Sequence, residues 1–232
     1  MGKTVNIGLG EHIAGVGATG SGKTVMINEL VSRFIIATEG YLPVYILDTK
    51  CPISRPEMSD FKHLFRGDIG QRHTGNKVPK PISPKGKNFV QVWTPEEDLL
   101  DNYDEFFKGI YQAGAPAVVL VDELSSVSTN RGDITRYHNI LLKQGRGLSI
   151  SSLNLTQSPS FIGQSIMRQA FHVFRFRLNN PYDSKKLEGI FGKKVNEEPT
   201  DSHGFWYRNV SIPTHKSPAA YYENMQEFFG IE

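Results

Sequence analysis

Eight residues constrain this chain more than any others: Gly17-Ala18-Thr19-Gly20-Ser21-Gly22-Lys23-Thr24. Glycines at this density disfavour helix and strand interiors. Yet the run lies between the apolar segment 11–16 (EHIAGV), which reads as a short buried strand, and 23–38, where Ile27, Leu30, Val31, Phe34 and Ile35 recur at helical spacing. The pattern G-x-x-x-x-G-K-[ST] between a strand and a helix is that of a phosphate-holding loop. Its glycines let successive N–H groups point inward at phosphate oxygens, and the following helix adds the positive end of its dipole. Lys23 would reach the β- and γ-phosphates, and Thr24 would offer its hydroxyl to Mg2+. Residues 17–24 are therefore the expected nucleotide-binding set, with ATP and Mg2+ as cofactors.

The rest of the chain alternates between two periods. Residues 43–48 (PVYILD), 89–93 (FVQVW), 148–156 (LSISSLNLT) and 171–178 (FHVFRFRL) read as strands, and 117–122 (AVVLVD) is apolar enough to be buried on both faces. Thr94 with Glu97 forms a capping box, with Pro95 at the first helical position, and predicts a helix whose apolar face is Leu99, Tyr103, Phe106 and Ile110. Further helices are expected over 133–144 and 183–191, with a hairpin around 204–209. Strands alternating with helices predict an α/β fold: one P-loop NTPase domain of the RecA/ASCE type, with a central, mainly parallel sheet and helices on both faces. Its core spans about 11–178 and a small hairpin-and-helix extension about 179–232. Residues 51–87 lose periodicity and hold eight basic residues against three acidic ones, which reads as a basic loop insertion.

Bulk composition excludes several classes. The net charge is only +2, so nucleic-acid binding would have to come from local patches. Cys51 is the lone cysteine, which rules out an intrachain disulfide framework. No run approaches a membrane span and the N-terminus lacks a signal pattern, so a soluble, cytoplasmic protein is expected.

Asp122 and Glu123 end the apolar strand, where ligands of open α/β sheets sit. Asp122 can hold Mg2+ and Glu123 can polarise an attacking water, a pairing that suits hydrolysis better than transfer to a small molecule. Arg146, flanked by Gly145 and Gly147, can reach out of its own domain toward phosphate charge in a neighbour's site, or simply close a helix. Gln157 follows the next strand, where it can bond a γ-phosphate or its water, or serve as a turn residue. Asn130 and Arg131, which follow the acidic strand, are DNA-contact candidates, as are Lys77 and Lys80 in the basic stretch.

Taken in order, HIAGVGATGSGKT, LDTK, VVLVDE, QGRG and LTQSP resemble the FtsK–HerA superfamily of DNA-pumping ATPases. Thr49 stands where that family has Pro, and Ser158 where it has Arg. The resemblance implies Lys23, Glu123, Arg146 and Gln157 as catalytic residues, with Arg146 a finger acting in trans and Gln157 the sensor. It also implies double-stranded DNA as partner and a homo-oligomer, a hexameric ring. The short chain most resembles the viral genome-packaging ATPases, which implies capsid or portal-vertex proteins as further partners. Plasmid or mobile-element DNA pumps, a nucleotide kinase and a non-hydrolysing nucleotide switch remain as alternatives.

Overall fold

The computed structural model describes residues 6–64, 70–82, 89–97, 99–129, 133–159, 164–201, 203–213 and 215–230. Strand β1 (His12–Val16), buried throughout, runs into the glycine loop and α1 (Lys23–Ala37). There follow β2 (Val44–Leu47), β3 (Gly70–Thr74), β4 (Val90–Thr94), α2 (Leu100–Ala113), β5 (Ala117–Val121) and α3 (Arg136–Gln144). A 3-10 turn over Gly145–Leu148 leads to β6 (Ile150–Thr156), α4 (Gln164–Gln169) and β7 (Ala170–Arg175). The chain ends in α5 (Pro181–Phe191), β8 (Phe205–Asn209), β9 (Ala220–Tyr222) and α6 (Met225–Phe229).

The strands form one sheet in the order β3-β4-β2-β5-β6-β1-β7-β8-β9. Pairing from β3 to β7 is parallel, and β8 is antiparallel to both its neighbours. This is the expected α/β architecture, with helices covering both faces of a mainly parallel sheet. Side-chain alternation along each strand divides the core. Val118 and Leu120 of β5 pack with Ile13, Met26, Leu30 and Phe228 beneath α1 and α6. Val119 and Val121 point the other way, toward Tyr103, Phe107, Leu141 and Leu187 of α2, α3 and α5.

Two expectations need correction. Thr94 does not cap a helix: it is the last residue of β4, fully buried, and its hydroxyl accepts from Arg72 Nη2 at 3.4 Å. The N–H groups of Glu96 and Glu97 bond Asn76 Oδ1 instead (3.2 and 3.0 Å), and α2 starts only at Leu100. The stretch 51–87 is not all loop, because β3 lies inside it as an edge strand paired to β4. Short α4, α6 and β9 lacked enough periodicity to be foreseen.

Strand β6 is unusual. All seven residues are buried, although Ser151, Ser152, Asn154 and Thr156 are polar. Each has a partner, as burial requires. Gly10 N–H donates to Ser151 Oγ (3.0 Å), and Asn154 Nδ2 donates to Ser152 Oγ (2.9 Å). Ser152 N–H donates to His12 Nδ1 (3.1 Å), so the His12 proton sits on Nε2 and is donated to the Leu142 carbonyl (2.9 Å). His138 Nε2 lies 3.0 Å from Asn154 Oδ1, with its ring stacked on Phe107 at 4.2 Å. Burial pushes both histidines down to about 4, so both are neutral near pH 7.

The C-terminal segment is anchored by Arg175, fully buried at the end of β7. Its guanidinium bonds Ser184 Oγ (2.9 Å) and the Glu198 carboxylate, which also accepts from Leu178 N–H (3.1 Å). No helix of the described residues is long and apolar enough to cross a membrane.

Candidate nucleotide site

The glycine loop leaves β1 at the carboxyl edge of the sheet and is pinned from both flanks. Gly17 N–H bonds the Thr156 carbonyl (3.2 Å) and Ala18 N–H the Arg177 carbonyl (2.8 Å). Two glycines are required by the geometry. A Cβ on Gly17 would lie 2.5 Å from Phe176 Cβ and 2.7 Å from Ser21 Oγ. Gly22, the N-cap of α1, has φ 102°, in the left-handed region that side chains avoid. No side chain caps α1, so its first-turn N–H groups and dipole face whatever the loop holds.

Lys23 is buried, and its ammonium donates to the carbonyls of Gly17 (2.5 Å) and Ala18 (2.8 Å). Burial, then the like charge of Lys50, pulls it down to about 8, against the pull of Glu123, Asp122 and Asp60. Thr24 Oγ1 lies 3.5 Å from Asp60 Oδ2, and Thr19 Oγ1 donates to Gln157 Oε1 at 3.0 Å. Loop and Gln157 are thus brought together, because β6 lies beside β1 with Val16 opposite Thr156.

Asp122 and Glu123 follow β5, on the other side of β6, and both are buried. Glu123 Oε1 accepts from Thr156 Oγ1 (2.9 Å) and Ser125 N–H (3.4 Å). Glu123 Oε2 and both Asp122 oxygens make no hydrogen bond. Lys50 lies over them, 3.3 Å from Asp122 Oδ1 and 3.6 Å from Glu123 Oε2, while donating to the Asp122 carbonyl (3.0 Å). Burial pushes Asp122 up to about 6, opposed by Lys50 and reinforced by Asp48. Asp48, at the end of β2, is raised by burial as well and accepts from Ser59 Oγ at 2.5 Å.

These residues fit a Mg–nucleotide. Both Asp122 oxygens are buried with Lys50 as their charged neighbour, and the Thr24 hydroxyl makes only a long 3.5 Å contact to Asp60 among the described residues. A hydroxyl and a carboxylate are the oxygen donors that Mg2+ takes alongside substrate phosphates, and no larger protein cage is needed.

Other expected residues lie elsewhere. Arg146 precedes β6 at the amino edge of the sheet, where its guanidinium stands 4.7 Å over the Phe171 ring. The six steps from Ile150 to Thr156 put about 20 Å between it and its own glycine loop. Lys77 and Lys80 are exposed beyond β3, at the sheet edge farthest from β1 on that side. Asn130 and Arg131 lie outside the described residues. Lys50 and Thr156 lie in the family-like motifs LDTK and LTQSP but had no role assigned from the sequence, and Asp60 and Ser59 were not singled out.

No protein-family model matches the sequence. The chain is 25% identical to Protein P9 of Pseudoalteromonas phage PM2 over 222 residues, covering 88% of each. In structure it is similar to B204, the DNA-packaging ATPase of Sulfolobus turreted icosahedral virus, with TM-score 0.72, 16% identity, and coverage of 94% of this chain and 99% of that one. It is also similar to the genome packaging NTPase B204 of Sulfolobus turreted icosahedral virus 2 in complex with ATP-gammaS, with TM-score 0.69, 15% identity and the same coverage. In fold, therefore, the chain is similar to viral genome-packaging ATPases.

Proposed function

We propose that this protein hydrolyses ATP to drive double-stranded DNA, as a viral genome-packaging motor built as a ring, expected to be hexameric, with active sites between subunits. The observation that carries hydrolysis is Glu123: a buried carboxylate at the carboxyl edge, with one oxygen held by Thr156 and the other free of hydrogen bonds. The resemblance to packaging ATPases, and the ATP-gammaS held by one of them, supports the nucleotide and DNA parts of the reading.

In this mechanism Lys23 turns from the Gly17 and Ala18 carbonyls to the β- and γ-phosphates, which accept its hydrogen bonds in their place. Mg2+, held by Thr24 and Asp122, would neutralise charge on the phosphate oxygens. Glu123 Oε2 accepts a proton from water as the water oxygen bonds to the γ-phosphorus and the bond to the β–γ bridging oxygen breaks, releasing ADP and phosphate. Thr156 holds Glu123 in place, and Gln157, joined to the loop through Thr19, registers whether the γ-phosphate is present. Arg146 cannot reach its own site and serves the next subunit's nucleotide. Lys77, Lys80, Asn130 and Arg131 are the proposed DNA contacts.

Phosphate release with and without duplex DNA, run beside a mass measurement of the assembly, tests the reading. DNA-stimulated hydrolysis by an oligomer is expected; phosphorylation of an acceptor, or binding without turnover, would refute it. Arg146→Ala should abolish hydrolysis and keep nucleotide binding, and normal turnover by that variant would sink the trans role.

A further inference from the structure

Behind Arg146, at the amino ends of β1, β6 and β7, a cleft of about 470 Å³ is lined by Lys143, Arg146 and Arg168 together with Gln169, Phe171 and Ser211. The three cations come from separate pieces of chain: the last turn of α3, the 3-10 turn and the short α4. All three are exposed, and among the described residues none pairs with a carboxylate. Three like charges gathered in one concavity repel one another and call for a compact polyanion.

The cleft lies at the opposite edge of the sheet from the glycine loop. With about 20 Å along β6 between the two, neither Lys143 nor Arg168 can reach the nucleotide site of its own chain. The carboxyl edge carries the complementary charge. Asp48, Asp60, Asp122 and Glu123 gather there around Lys23, Lys50 and Arg72, four carboxylates against three cations before any triphosphate is added. Two copies set head to tail would bring the basic cleft of one against the acidic edge of the next, the heterologous contact that closes rings.

We propose that this cleft is the docking surface for a second copy of this chain, and that Lys143 and Arg168 flank Arg146 there to bind the triphosphate held in that copy's glycine loop. The proposal rests on the inter-subunit reading above and extends it to two residues and a surface. Duplex DNA is the less suitable occupant: it presents phosphates on a convex surface at about 3.4 Å axial spacing per strand, whereas these cations converge inside a concavity.

The test is subunit mixing. Lys143→Ala/Arg168→Ala should still bind nucleotide through its own untouched loop, and its hydrolysis should fall at least about tenfold. Lys23→Ala should be inactive through its loop. Mixed in equal amounts, the two should recover up to about a quarter of natural activity, from interfaces that join an intact loop to an intact cleft. A mixture no more active than the sum of its parts overturns the proposal. So does a double variant with full basal hydrolysis and weakened duplex binding, which would make the cleft a DNA contact. A natural chain that releases no phosphate, alone or with DNA, refutes the hydrolytic function itself, an outcome distinct from failed complementation between active-chain variants.

Discussion

The buried pair His12 and His138 makes the fold acid-sensitive in a way that one substitution can isolate. His138 is fully buried and held down to about 4, first by burial, with the Asn154 hydrogen bond opposing and His12 adding to the depression. Its ordinary value in an unfolded chain is 6.5. As pH falls below 6.5 the unfolded chain takes up a proton that the folded chain refuses, so stability is full above 6.5 and is lost as pH falls toward 4. Linkage gives a loss of about 2 kcal/mol by pH 5 and about 3 kcal/mol by pH 4 for this one residue. Asp122 works with the opposite sign: raised to about 6 from 3.8, it binds a proton first in the folded state and so masks part of the slope. The informative quantity is therefore a difference. His138→Gln keeps a donor for Asn154 and loses the titration and the stack on Phe107, which sets a constant offset at neutral pH. Between pH 7.5 and 5 the natural chain should lose about 2 kcal/mol more than this variant, or roughly 4–8 °C in Tm. Chemical denaturation of both proteins at a series of pH values measures it. Parallel curves, or a His138 imidazole that titrates near 6.5 by NMR, would refute the argument.

Three further outcomes follow from the site and its supports. Glu123→Gln should slow phosphate release by about 10²–10⁴-fold while nucleotide affinity, read by calorimetry, changes only a few-fold. Gly22→Ala forces a left-handed residue to carry a Cβ 3.0 Å from His203 Cδ2; nucleotide affinity should fall at least tenfold, with about 1–2 kcal/mol lost from stability in denaturant. Arg175→Ala removes the fully buried cation that ties β7 to Ser184 and Glu198, and about 3–5 kcal/mol of stability should go with it, seen as early proteolysis between residues 176 and 204.

How far these features could be read from the sequence depends on the range over which each is specified. The glycine loop is specified locally: Gly22 needs its φ and Gly17 its missing side chain, so the residues themselves disclose the geometry. Asp122 and Glu123 were legible for a related reason, because adjacent acids that end an unbroken apolar strand stand at its carboxyl end, where open α/β sheets hold ligands. Thr94 shows where local reading fails. Thr94-Pro95-Glu96-Glu97 satisfies the capping-box pattern, but Trp93 is fully buried with its indole bonded to Gly75, and this holds the strand through Thr94. Packing overrides a cap, which is worth only about 1 kcal/mol. Edge strand β3 (GQRHT) was hidden because it lacks a buried apolar face, and among the described residues it pairs with β4 alone. The role of Lys50, in the LDTK motif after β2, could not be read from local pattern. Its ammonium meets Asp122 and Glu123 because β2 pairs with β5 in the register Leu47 opposite Val121. The polar run of β6 sits between these cases. Ser152, Asn154 and Thr156 lie on one face of β6 and Ser151 on the other, and all four are buried because β6 fills the gap between β1 and β5. That placement gives Thr156 its role. Strand β6 lies between the glycine-loop strand and the acidic strand, and the Thr156 hydroxyl at its end is what holds Glu123.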